Sequence, residues 1–190
     1  LVSHLRYPED LFRVQTDMWG RYHIEDSKDF YDRTDAWEPP PAPPESPPSD
    51  GAATPQVAIQ VPAGPGGSTT GVTTKSARMA PSYVINKLPD EDETSFKIMR
   101  TYQPYSDNDS KQLLTAFMVG GSDGDDLGKL TLYTPKPAAG SEGAQIDGPG
   151  IVSATILNDG TVSRQISLLD TQGSKVTFGE LLLVPVDKSI

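Results

Sequence analysis

Between Pro39 and Pro81 the chain loses the means to build a core. The run Pro39-Pro40-Pro41-Ala42-Pro43-Pro44-Glu45-Ser46-Pro47-Pro48 removes backbone donors and imposes extended geometry. The Gly- and Thr-rich stretch from Gly64 to Thr74 then offers little apolar surface to offset the entropy of ordering. Folded structure is therefore expected on either side of the tract. This divides the chain into an N-terminal helical segment (1–38), a mostly disordered Pro/Gly-rich linker (39–81) and an α+β domain (82–190). Within the linker, Val57-Ala58-Ile59-Gln60-Val61 alternates and can supply one strand.

Composition narrows the partners. Lys and Arg total 16 against 26 Asp and Glu, a formal net charge of −10. The basic residues Arg6, Arg13, Arg21, Lys75, Lys97 and Lys129 form no cluster, which argues against nucleic acid and against anionic headgroups. With Cys at 0 there is no disulfide framework, thiolate zinc site or thiol nucleophile. No run of about 18 apolar residues could span a bilayer, and no basic-then-apolar leader opens the chain, so this stretch is expected to be soluble. It starts at Leu1 and stops at Ile190, just past the apolar run Leu181-Leu182-Leu183-Val184, which reads as a piece of a longer polypeptide.

Pro8 suits a first helical position, and Glu9 and Asp10 complement the positive end of the helix dipole. Leu11, Val14, Met18 and Tyr22 recur at helical spacing, with Phe12 and Trp19 widening a face that seeks a partner, either in this domain or in a neighbouring piece of the longer polypeptide. A second short helix is expected from Asp26 or Ser27, containing Phe30 and Tyr31 and ending before Trp37. Strands are predicted at 83–86, 95–102, 113–119, 129–134 and 175–186, and helices from Pro149 to Asn158 and from Thr161 to Gln172. Together these predict an α+β fold: an antiparallel sheet of about four to five strands, the helices between Pro149 and Gln172 packed on one face, and an N-terminal helical segment.

Particular runs resemble a known family. Leu5-Arg6-Tyr7-Pro8-Glu9-Asp10-Leu11-Phe12-Arg13-Val14-Gln15 is followed by Gly20-Arg21-Tyr22-His23, by Asp29-Phe30-Tyr31 and by Asp35-Ala36-Trp37. Later come Tyr102-Gln103-Pro104, Leu114-Thr115-Ala116-Phe117, Gly128-Lys129-Leu130, Gly148-Pro149, Gln172-Gly173-Ser174 and Gly179-Glu180-Leu181-Leu182-Leu183-Val184-Pro185-Val186. This pattern resembles Uncharacterised Protein Family 0182 of bacterial membrane proteins. Two departures are a longer, more proline-rich 39–81 tract and Glu180 in place of the commoner Asn. The resemblance implies a polypeptide several times this length, with N-terminal transmembrane helices followed by a large extracytoplasmic region to which this segment belongs. It implies no activity.

Chemistry-bearing residues are few. His4 and His23 lack carboxylates at metal-motif spacing, and no Gly-x-Ser-x-Gly elbow accompanies them. Asp107-Asn108-Asp109 and Asp123-Gly124-Asp125-Asp126 hold calcium-type oxygens, but without the Gly and bidentate Glu of a calcium loop they read as turns. Core packing is expected for Trp19 and Trp37, and of the two Trp37 is the better candidate for an exposed contact. No catalytic, cofactor-binding or metal-ligating residue is assigned. The leading expectation is a non-catalytic assembly or ligand-contact module of the extracytoplasmic region, partnered by the remainder of its parent protein in the cell membrane. The alternatives are a transport-associated domain guiding a lipid or envelope precursor, which needs an apolar groove, and an envelope hydrolase or transferase, which needs His23 beside a Ser and an Asp.

Overall fold

The computed structural model describes residues 7–45, 56–60, 72–89, 91–135, 145–171 and 173–185. In chain order the elements are α1 (Glu9–Tyr22), α2 (Ser27–Asp32), β1 (Trp37–Glu38), β2 (Gln56–Gln60), β3 (Val72–Ser76), β4 (Ser82–Asn86), β5 (Ser95–Pro104), β6 (Ala116–Gly121), β7 (Leu130–Tyr133), α3 (Pro149–Asn158) and α4 (Gly160–Leu169). The architecture is α+β, with a five-stranded antiparallel sheet. β5 is its spine: β4 and β1 share one edge of it, and β6 followed by β7 extends the other. The alternating strand predicted at 57–61 is β2, and it pairs antiparallel with β3 in a separate two-stranded ladder.

Side-chain alternation gives the sheet two buried faces. Ile98, Tyr102, Ala116 and Met118 form one with Tyr7 and Phe12. Met99, Phe117 and Val119 form the other with Leu88 and Leu114. The helix that covers the first face is α1. α3 and α4 pack chiefly on each other, so the cover expected from Pro149–Gln172 comes instead from the N-terminal segment. Asp159 joins the two helices, and its carboxylate accepts from the amides of Thr161 and Val162. The base of α3 is pinned by Gly148 N–H donating to Gln112 O and by the Leu113–Asp147 bridge.

One other expectation is corrected. No strand occurs among described residues 175–185. Leu182, Leu183 and Val184 are apolar because they lie across the second sheet face, and the run joins no ladder there. Apolar alternation reports burial and does not supply a strand partner. At the start of the tract read as linker, Pro39 and Pro40 are buried. Pro41 bridges Arg78, and the Ala42 and Met79 amides donate to Ala77 O and Pro40 O.

Candidate functional site

α1 is anchored by a narrow strip of three residues, Phe12, Thr16 and Gly20, at successive i+4 positions. Phe12 is fully buried and lies over Gly120, where an added Cβ would come 3.1 Å from the Phe12 ring. Thr16 supplies the central polar contacts. Its hydroxyl accepts from Arg100 Nη1 at 2.9 Å and donates to Arg13 O, while its carbonyl accepts from Tyr102 Oη at 2.6 Å. At the far end Gly20 approaches the Trp37 backbone so closely that a Cβ would stand 2.5 Å from the Trp37 oxygen.

Arg100 is a buried cation on a strand, and its charge is compensated from three directions. Nη1 also reaches Asp17 Oδ1 at 2.8 Å, and Nε donates to Met79 O at 3.0 Å. Burial lowers the guanidinium pKa from its ordinary value, opposed by the Asp17 carboxylate. Burial raises the Tyr102 phenol pKa, so the hydroxyl remains a donor to Thr16. Tyr83 is raised for the same first reason, with the nearby Glu9 charge adding to it, and it donates to Tyr7 O at 2.6 Å.

With its inner strip fixed, α1 presents its apolar stripe to solvent. Leu11, Val14, Met18 and Tyr22 are 49%, 55%, 55% and 64% exposed. At 100° per residue they centre about 150° round the axis from the inner strip. Phe30 of α2 stacks on Tyr22 at 5.8 Å between centroids and continues the stripe onto a second helix. The apolar face that periodicity picks out is therefore the outer face, and the inner strip carries only one large apolar residue. Prediction from hydrophobic spacing could not find Thr16 or Gly20. The small-residue signal was their i+4 spacing from Phe12.

Of the two tryptophans, the one expected to be the more exposed is the better buried. Trp19 is 43% exposed, whereas Trp37 is half-buried against the first core cluster. His23 lies between them, with its ring 4.2 Å from Trp37 and stacked on Trp19, and Nδ1 bonded to Trp19 O at 2.8 Å. The open hollow beside His23 is lined by Ile24, Glu25, Asp26, Asp29, Asp35 and Trp37, with no serine among these residues. The histidine closes the end of α1, and the triad reading has no nucleophile there. His4 lies outside the described residues.

The acidic runs are taken up in local structure. Asp109 binds Arg78 Nη1 at 2.7 Å, and Arg78 Nη2 binds Glu38 at 2.8 Å. Asp107 accepts from Tyr105 Oη, and Asn108 accepts from the Ser110 amide. Asp123 caps the short turn Gly124–Asp126, and Asp126 pairs with Lys129 inside the β6–β7 connection. Among the described residues no three His, Cys, Asp or Glu side chains are grouped to hold a metal. The second open hollow, lined by Asp32, Arg33, Tyr105, Ser106, Asp107, Asn108 and Lys111, is polar and is not the apolar groove that lipid guidance requires.

The model of the Uncharacterised protein family (UPF0182) matches residues 1–169. A UPF0182 protein of Microcystis aeruginosa is 34% identical over all of this chain and 16% of its own length. UPF0182 proteins of Cupriavidus necator and Frankia alni are each 34% identical, over 100% and 98% of the chain and 17% and 14% of their own lengths. The chain thus spans about one-sixth of such relatives. No solved structure matches it. Among the described residues no helix is long and apolar enough to cross a membrane. The matches over nearly the whole chain establish that it belongs to the Uncharacterised protein family (UPF0182).

Proposed function

We propose that this chain is a non-catalytic assembly module on the extracytoplasmic side of a longer, multi-pass membrane protein. The observation that carries the reading is the outer stripe of α1. A helix already held by Phe12, Thr16, Gly20 and the Arg100–Asp17 pair still exposes Leu11, Val14, Met18 and Tyr22. Exposed apolar residues aligned on one rigid element mark an interaction surface rather than ordinary surface scatter. The short relative share supports the same reading, because each relative has far more chain than this segment with which to form contacts.

Location is tested with Lys28→Cys in the full-length protein. Lys28 is 81% exposed in its side chain, and the unsubstituted protein gives the background for an impermeant maleimide. Labelling in intact cells is expected. Labelling only after permeabilisation would place the module on the cytoplasmic side and end this reading.

A further inference from the structure

We infer that the outer stripe of α1 receives an apolar helix from the remainder of the same polypeptide. This rests on the assembly reading above and names the occupant of that surface. Three observations favour a helix in cis over a second copy or a bilayer.

The stripe steps by three, four and four residues from Leu11 to Val14, Met18 and Tyr22. That is the seam one helix offers another, with side chains spaced to seat between those of a crossing partner. The Tyr22–Phe30 stack carries the seam onto α2 at one end.

The polar residues of α1 do not suit a bilayer surface. An interfacial helix flanks its apolar face with Lys and Arg. Here Glu9, Asp10 and Asp17 accompany Arg13 and Arg21, Arg13 is paired with Glu9, and Asp17 is held by Arg100. A second copy fits poorly for a related reason, since it would bring two chains of net charge −10 together. A segment in cis has no association penalty of that kind and is present at high effective concentration. The relatives have about five-sixths of their length outside this region from which to supply it.

The test uses the full-length protein in its native membrane, with a benzophenone-bearing residue at Met18 or, as control, at Arg13 on a different face of α1. Irradiation at Met18 is expected to give an intramolecular cross-link to a peptide outside these 190 residues, absent at Arg13. Adding Val14→Asp should lower its yield by roughly tenfold, because a carboxylate is introduced into the seam. An adduct of dimer mass, a lipid adduct, or no adduct at Met18 above the Arg13 level would each overturn the inference. Should the native polypeptide prove no longer than this chain, or fail to sediment with membranes, the assembly reading itself falls. A long, membrane-bound polypeptide without the Met18 cross-link refutes only the choice of occupant.

Discussion

Gly20 lies directly against the Trp37 backbone, its would-be Cβ 2.5 Å from the carbonyl oxygen. In an exposed helix interior, glycine to alanine stabilises by about 1 kcal/mol. Here Gly20→Ala should reverse that sign and destabilise by about 2 kcal/mol, because the opposing atom is backbone and can yield only if α1 or β1 moves. Denaturant unfolding of the variant checks this, and a rise in stability would mean that α1 is not seated as described.

Asp17 and Glu9 are both carboxylates on α1 paired to arginine, yet they should differ in weight. Glu9–Arg13 is an exposed i,i+4 pair, so Glu9→Ala should cost less than about 1 kcal/mol. Asp17 neutralises a guanidinium only 4% exposed, and Asp17→Ala should cost about 2 kcal/mol, discounted because Asp17 itself is half-exposed. Equal melting temperatures for the two variants would contradict the arrangement.

Alkaline pH should weaken the fold. The phenols of Tyr83, Tyr102 and Tyr105 are all raised above 10.0, chiefly by burial. Below pH 10.0 their contribution is complete; above it the unfolded chain releases its protons first, and stability falls as pH rises toward the folded values. Arg100 is shifted downward by burial and opposes this wherever the folded state loses that proton first. Melting temperature should therefore drop as pH passes 10.0, and Tyr102→Phe should flatten the drop.

Gln103 is 1% exposed, and neither atom of its side-chain amide has a hydrogen-bond partner among the described residues. Gln103→Met keeps the length and removes the unmet polar groups, so it should raise stability by about 1 kcal/mol. A loss of stability on chemical denaturation would show that the amide does bond something.

Arg78 stands between two carboxylates that are 11% and 13% exposed, Glu38 and Asp109. Arg78→Met should leave their repulsion uncompensated and cost about 3 kcal/mol. Hydrogen exchange should accelerate first at the Ala42 and Met79 amides, whose bonds flank this cation, and later at Ile98 in the sheet. Uniform acceleration would mean that the contact is not local.

Strand positions were legible because alternation and turn residues coincide, as at Leu130 to Tyr133 after the Gly120 to Gly128 cluster. The start of α1 was legible from Pro8, Glu9 and Asp10 for equally local reasons. Its orientation was not. Periodicity locates an apolar face but cannot say whether that face meets this domain or something outside it, and Leu11, Val14 and Met18 face away from the sheet. Leu182 to Val184 misled in the complementary way, since their burial is real and their ladder absent. The roles of Trp19 and Trp37 depended on contacts across distant sequence, with Tyr102 beside Trp37, which no local pattern encodes. The candidate surface was thus present in the sequence as a stripe whose partner local spacing leaves open.

The bridge between Pro41 and Arg78 clamps both feet of the intervening segment at one spot on the domain. For a flexible loop closing entropy grows only logarithmically, each doubling of length costing about 0.6 kcal/mol. Residues can be added or removed between these two positions while the clamp keeps its neighbours in place, so size differences among homologues should gather there.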